Sequence, residues 1–268
     1  MTRRARLDAE LVRRGLARSR EQAAELVAAG QVRVPGRTSV KAATQITSGD
    51  PIVVEEPAGE TYVSRGGHKL AGALGVFEAD GLAVAGRRAL DAGASTGGFT
   101  DVLLRRGVRE VVCVDVGYGQ LAWSLQTDDR VRVVDRTNVR DLTPATVGEP
   151  VDLVVADLSF ISLRLVLPAL VSVAAADADL VPMVKPQFEV GREALGAGGV
   201  VREPERRVAA VAAVAATAYE EHGLGVAGVT ASPLPGPAGN VEYFLWLRRG
   251  AAPLDPARLE AAVAAGPS

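Results

Sequence analysis

Hydrophobic residues recur along this chain in two rhythms. From residue 88 onward, short apolar runs alternate with stretches of helical spacing. Ala89 and Leu90 end the first run, and Phe99, Val102 and Leu103 then begin a helix pattern. Residues 111–115, 131–134, 151–157 and 180–185 read as further buried strands, with helix patterns between them. Residues 208–214 lie in a later helix, and 224–229 and 241–247 read as the last two strands. Such alternation builds a sheet through right-handed crossovers. The expectation is an α/β, Rossmann-like, doubly wound sheet of seven strands, with ligands at the carboxyl ends of its strands.

The first sixty residues follow another pattern. Leu7, Leu11 and Val12 fall at roughly helical spacing within residues 6–16, and Gly15 loosens the end. Ser19 and Gln22 form a capping box ahead of an apolar stripe, Ala23, Leu26 and Val27, with Gly30 as the residue just past the helix. Residues 31–34 alternate as a strand, Pro35-Gly36 turns it, and residues 52–54 make another strand after Gly49-Asp50. This is a compact α+β module. Residues 55–60, acidic with Pro and Gly, read as a connection. The expected division is therefore 1–59, a linker at 60–65, and 66–268. At the start of the last part, Leu70, Leu74 and Phe77 mark one face of a helix over 68–78, with Lys69 beside it.

Composition narrows the possibilities. Of 268 residues 48% are hydrophobic, enough for a sizeable core, and no apolar run approaches the ~18 residues of a membrane span. The Arg-rich start lacks the apolar segment of a secretory signal. Cys113 is the single cysteine and His68 has no second His or Cys nearby, so no metal site is expected. A cytoplasmic location fits. Residues 1–50 carry a net charge of +5, and the net −2 of the whole chain leaves −7 for the rest. A basic first fifth on an acidic body points to a module for a polyanion, although a solvated basic face would look the same. Only Lys41, Lys69 and Lys185 are lysines among 30 basic residues. In so arginine-biased a chain, a surviving lysine can mark a place where arginine, which cannot lose its proton, would not serve, although chance survival of any one lysine would look the same.

The chemistry centres on Asp91-Ala-Gly-Ala-Ser-Thr-Gly-Gly-Phe99. Gly93, Gly97 and Gly98 let the backbone turn and approach a ligand. Ser95 occupies the middle place of a dinucleotide fingerprint, where glycine is required. Asp91 suits a cationic or amine-bearing ligand, such as the amino group of S-adenosylmethionine, better than a pyrophosphate. A bare α/β turn without a ligand would also fit. Asp115, about 20 residues past the loop, stands where nucleotide folds place a carboxylate on ribose hydroxyls, and Asn138 follows in a loop that could face an adenine.

Four polar residues then mark strand ends or their neighbours: Lys69, Asp157, Lys185 and Glu242. They could be mere ion pairs, but strand-end charges on such a sheet more often meet ligand. For methyl transfer, the stretch Asp157-Leu-Ser-Phe160 is not the Asn-Pro-Pro-Tyr loop of amine methylation. Cys113 lies on a different strand from any cytosine nucleophile. A hydroxyl acceptor remains, and a lysine crowded by another cation can take its proton.

Two resemblances complete the reading. Residues 6–16, Ser19-Arg20, residues 24–34 and residues 49–54 resemble the RNA-binding domain named after the fourth small-subunit ribosomal protein. The likeness implies RNA contacts at Arg6, Arg18 and Arg20, supported by Arg3, Arg4 and Lys41. The chain as a whole is similar to the TlyA family of ribosomal RNA 2′-O-methyltransferases, whose catalytic domain is FtsJ-like. The likeness is carried by Ser64-Arg-Gly-Gly-His-Lys-Leu70, residues 91–100, Asp115-Val-Gly-Tyr-Gly-Gln-Leu121, Asp157-Leu-Ser-Phe-Ile-Ser-Leu163, Lys185-Pro-Gln-Phe-Glu189 and Gly239-Asn-Val-Glu-Tyr-Phe244. It implies a class I methyltransferase sheet and a tetrad of Lys69, Asp157, Lys185 and Glu242 with Lys185 as base. It further implies S-adenosylmethionine held by Asp91, Gly93, Ser95, Gly97, Gly98, Phe99, Asp115 and Asn138. The implied acceptors are cytidines of 16S and 23S rRNA. The Arg-rich start and the tail helix near residues 254–265 look like the longer subtype, which acts on both 30S and 50S subunits. A monomer is the expectation. Members of the family have also been called haemolysins, but no membrane-surface helix accompanies that name here. A ribosome-binding protein without chemistry is the other rival, and an intact tetrad argues against it.

Overall fold

The computed structural model describes residues 4–17, 19–28, 30–54, 61–191, 193, 195–196 and 198–267. Arg3, Arg18 and the connection 55–60 lie outside them. The chain divides into two compact units, Met1–Thr61 and Tyr62–Ser268.

The first unit runs β1 (Arg4–Arg6), α1 (Leu7–Arg13), α2 (Arg20–Ala28), β2 (Val32–Arg33), β3 (Gln45–Thr47) and β4 (Val53–Val54). The strands pair antiparallel as β1 with β3 and β2 with β4. Leu7, Leu11, Ala23, Val27, Val32 and Ile46 make its core. Ser19 Oγ accepts from the Gln22 amide at 3.1 Å, so the capping box forms on its Ser side. Gly30 takes φ +70° past α2. The helix expected over 6–16 stops at Arg13. Strands β1 and β3 were not legible, because three residues hold too few apolar positions to show an alternation.

The second unit opens with α3 (Gly66–Ala79), followed by β5 (Arg88–Ala92), α4 (Gly98–Arg105), β6 (Glu110–Val114), α5 (Trp123–Gln126), β7 (Val131–Val134), α6 (Pro144–Val147) and β8 (Val151–Ala156). Then come α7 (Leu167–Val173), β9 (Ala174–Val184), α8 (Pro186–Glu189), α9 (Pro204–His222), β10 (Leu224–Ala231), β11 (Tyr243–Arg249) and α10 (Pro256–Ala264). The sheet order is β10-β11-β9-β8-β5-β6-β7. Strands β5 to β9 are parallel, while β11 inserts antiparallel between β9 and β10. That reversal was not visible in the apolar pattern, which is the same for either direction.

Successive strand residues serve opposite faces of the sheet. Along β8, Val154 and Ala156 join the core under α7, α9 and α10, whereas Leu153 and Val155 join the core under α3 and α4. Leu70, Leu74 and Phe77 of α3 are fully buried, each adding ~1.5–3 kcal/mol. Strand β9 begins six residues earlier than its apolar run, because its first half is small and polar. Its Asp179 is buried, accepting from Trp246 Nε1 at 2.7 Å and pairing with Arg87 at 2.7 Å.

Part of the stretch expected as a linker at 60–65 packs within the second unit. Tyr62 and Val63 pack on the second unit's core. The Val63 amide donates to Asp101 Oδ2 at 2.9 Å, and the Arg105 guanidinium lies 4.8 Å over the Tyr62 ring. Residues 62–65 therefore belong to the second unit and pin the start of α3 to α4.

Candidate active site

Register brings the site together. Ala92 at the end of β5 pairs with Ala156 at the end of β8, and the Asp157 amide donates to the Ala92 carbonyl at 3.0 Å. Gly93 follows with φ +87°, and a Cβ there would lie 2.4 Å from the Asp157 carbonyl oxygen. On the other side, Tyr243 of β11 pairs with Val184 of β9. Glu242, just before Tyr243, and Lys185, just after Val184, are therefore neighbours at the same sheet edge. This is the edge of the parallel strands' carboxyl ends, the usual ligand side of such a sheet.

The side chains form two ion pairs there. Lys69 reaches from the first turn of α3 to place Nζ 2.5 Å from Glu242 Oε2, with side chains 8% and 1% exposed. Lys185 Nζ lies 2.6 Å from Asp157 Oδ1 and donates to Ser159 Oγ at 3.0 Å. Asp157 keeps a quarter of its side chain in solvent, so this second pair opens outward while the first is sealed. The lysine scarcity and strand ends drew attention to these four residues. Ser159 was quoted in a motif but not foreseen as a partner of Lys185.

Asp91 is fully buried beneath them. Its Oδ2 accepts from Thr100 Oγ1 at 2.6 Å, and its Oδ1 has no hydrogen-bond partner among the described residues. Burial, with the charge of Asp157 adding to it, pushes its carboxyl up to about 7. An orphaned buried carboxylate oxygen is a place for a cationic donor. Thr100, also missed by sequence reasoning, holds the other oxygen, and its Oγ1 is 3.0 Å from Cys113 Sγ. Burial pushes that thiol up, so Cys113 stays a neutral packing residue.

The rest of the loop departs from expectation in places. Ser95 adopts φ +47°, and its amide donates to Asp115 Oδ2 at 2.8 Å. Asp115 Oδ1 accepts from the Gly117 amide at 2.7 Å, so both carboxylate oxygens are fixed in orientation. Gly97 and Gly98 are also required by packing. A Cβ at Gly97 would strike Leu125 and Leu121, and one at Gly98 would meet the Gly67 amide and Ser64. Phe99 is likewise a core residue, 3% exposed with its ring 5.9 Å from Phe244, so it offers a ligand only backbone. Asn138 is exposed, and its Oδ1 accepts from the Arg140 amide at 3.0 Å, capping a short 3-10 turn over Val139–Asp141.

In the first unit, Arg6 and Arg20 both pair with Asp8, at 2.8 and 3.0 Å. The hydrogen bond from Arg6 holds the Asp8 carboxyl well below the usual carboxylate range. Their side chains remain 45% and 61% exposed, which leaves room for a phosphate. Arg4 and Lys41 are exposed. Among the described residues, no cluster of His, Cys, Asp and Glu could hold a metal ion, and no helix is long and apolar enough to cross a membrane.

Comparison with known proteins matches this geometry to a family. Residues 62–249 match the FtsJ-like methyltransferase model and residues 5–52 the S4 domain model. The chain is 64% identical over 248 residues, 92% of its own length and 91% of the relative's, to the 16S/23S rRNA (cytidine-2′-O)-methyltransferase TlyA of Mycobacterium tuberculosis. Hemolysin A of Brachyspira hyodysenteriae is 34% identical, over 89% of this chain and 98% of that one. A solved structure from Streptococcus thermophilus, provisionally named a hemolysin, superposes with TM-score 0.77 at 38% identity, covering 98% of this chain and 96% of the other. A carboxyl-end site with two lysine–carboxylate pairs, carried on an FtsJ-like domain behind an S4 module, thus comes with extensive sequence identity, and the chain belongs to the TlyA family of FtsJ-like methyltransferases.

Proposed function

We propose that this enzyme transfers a methyl group from S-adenosylmethionine to the ribose 2′-hydroxyl of cytidine in 16S and 23S rRNA, acting on 30S and 50S subunits. The observation that carries the reading is the Lys185–Asp157 pair at 2.6 Å, set at the carboxyl edge beside Gly93 and the orphaned Asp91 oxygen. The buried Asp91 and the Gly93 turn fit an amine-bearing nucleoside cofactor, and Asp115 suits its ribose. Ser95, Gly97, Gly98, Phe99 and Asn138 shape the same cleft through backbone and packing. Bound there, the cofactor supplies a methyl group activated on a sulfonium. Lys185 would take the 2′-hydroxyl proton on Nζ as the methyl passes to the oxygen and the cofactor leaves as its thioether. Asp157 and Ser159 hold the amine in place. Glu242 holds Lys69, whose cation sits at the same edge.

The first unit supplies phosphate contacts through Arg4, Arg6, Arg20 and Lys41, with Arg3 and Arg18 from the same stretch. The relative's printed name supports the cytidine and both rRNAs as acceptors. An rRNA substrate places the work in the bacterial cytoplasm. All four tetrad residues come from one chain, so a monomer suffices. The test is methylation of intact subunits with methyl-labelled cofactor, followed by nuclease mapping of the label. Label on a cytidine 2′-oxygen, lost in Lys185→Arg, supports the reading. Label on a base, or full turnover by Lys185→Arg, refutes it.

A further inference from the structure

Two sequence motifs, Asp157-Leu-Ser-Phe-Ile-Ser-Leu163 and Lys185-Pro-Gln-Phe-Glu189, have so far yielded one ion pair and one serine. They touch at three further points. The Phe160 and Phe188 rings lie 5.2 Å apart. Ser162 Oγ donates to Glu189 Oε2 at 2.6 Å, and the Leu163 amide donates to Glu189 Oε1 at 2.7 Å. Arg164 Nε stands 3.5 Å from the same carboxylate, whose side chain is 1% exposed. A carboxylate so buried, with both oxygens occupied by donors, is a fixed strut rather than a surface charge.

The segment needs one. Between the end of β8 and the 3-10 turn Leu163–Leu165 it has no regular hydrogen-bonding of its own. It contains Phe160 at φ +64°, a conformation that disfavours a side chain. Contacts from outside must hold it, and the chain that supplies them begins at Lys185. The α8 turn carries Glu189 four residues past Lys185, and the Phe188 amide donates to the Lys185 carbonyl at 2.9 Å.

We infer that Glu189 is a positioning residue for methyl transfer: it ties segment 157–163 to the turn after Lys185 and so sets Asp157 and Ser159 against the lysine amine. This rests on the reading of Lys185 as proton acceptor. Without the strut, Ser159 and the Asp157 side chain shift against the amine, while the Asp157 backbone stays tied to Ala92 beside the glycine turn.

Four variants of the full chain test it: Glu189→Ala, Glu189→Gln, Ser162→Ala and Lys185→Arg. Single-turnover methylation of ribosomal subunits gives rate and half-saturation, and calorimetry with S-adenosylmethionine gives affinity and binding-competent fraction. Glu189→Ala should lower the maximal rate on the order of 10²-fold, as expected for ångström-scale misplacement. Half-saturation and cofactor affinity should stay within about threefold, because the Glu189 side chain is buried with both oxygens taken by Ser162 and Leu163. Glu189→Gln should recover to within about tenfold of the parent, since its amide can still accept from Leu163 and donate to Ser162. Ser162→Ala, losing one of the two bonds, should lower the rate about 3- to 10-fold. Parental turnover in Glu189→Ala overturns the inference, as does a rate loss that merely tracks a lost binding-competent fraction. Glu189→Gln as slow as Glu189→Ala also overturns it. Should Glu189→Ala not fold, parental turnover in Ser162→Ala does the same. Lys185→Arg separates the two claims: its full activity removes the base and this inference with it, whereas its inactivity beside an active Glu189→Ala removes only the strut.

Discussion

Asp91→Asn should change how the stability of the second unit depends on pH. Asp91 has no exposure, one orphaned oxygen, and a carboxyl raised by burial from 3.8 to about 7. Unfolded, it ionises near its ordinary value. Between those two values the folded state therefore holds a proton that the unfolded state has lost, and stability falls as pH rises. The slope is about 1.4 kcal/mol per pH unit. Over about three units the loss comes to about 4 kcal/mol, complete above the folded value. Carboxylates held below their ordinary range in this unit, Glu110 and Asp128, act in the opposite sense and only in acid, so they do not mask this window. Asparagine keeps the shape and the Thr100 contact but cannot titrate. Both tryptophans, Trp123 and Trp246, lie in the second unit, so urea unfolding followed by their fluorescence reports on it alone. The parent should lose stability from pH 5 to 7.5, and Asp91→Asn should be nearly flat. Saturating S-adenosylmethionine, whose ammonium would face the carboxylate, should flatten the parent as well. Equal slopes for parent and variant without cofactor would refute the argument, since Asp91 would then ionise as an ordinary surface acid.

Lys69→Met should destabilise the second unit by about 3–5 kcal/mol by stranding Glu242 as an unpaired buried charge, and the double variant with Glu242→Leu should recover much of that while staying inactive; thermal unfolding and methylation assays read both. Gly93→Val should lower cofactor affinity in calorimetry by at least about tenfold, because its side chain would run into the Asp157 carbonyl. Arg6→Ala and Arg20→Ala should each flatten the log–log salt dependence of subunit binding by roughly one, measured by filter binding over 50–300 mM salt. An unchanged slope in both would place the phosphate contacts elsewhere.

The sequence by itself determined the seven-strand α/β sheet, because buried strands and amphipathic helices each leave a period in the apolar pattern. It also located the four charged residues, since lysine in an arginine-biased chain and carboxylates at strand ends are local signals. It did not determine direction or pairing. An antiparallel β11 and a parallel one bury the same residues, yet only the antiparallel insertion puts Glu242 beside Lys185 and within reach of Lys69. Nor could it tell which neighbour each glycine must admit: the Asp157 carbonyl at Gly93, Leu125 and Leu121 at Gly97, and the start of α3 at Gly98. The roles of Thr100, Ser159 and Glu189 were likewise beyond it, because each is defined by a partner supplied through the fold. Hydrophobic periodicity is a property of neighbouring residues, whereas a hydrogen bond across 26 positions, such as that from Leu163 to Glu189, exists only after β8 and β9 have paired.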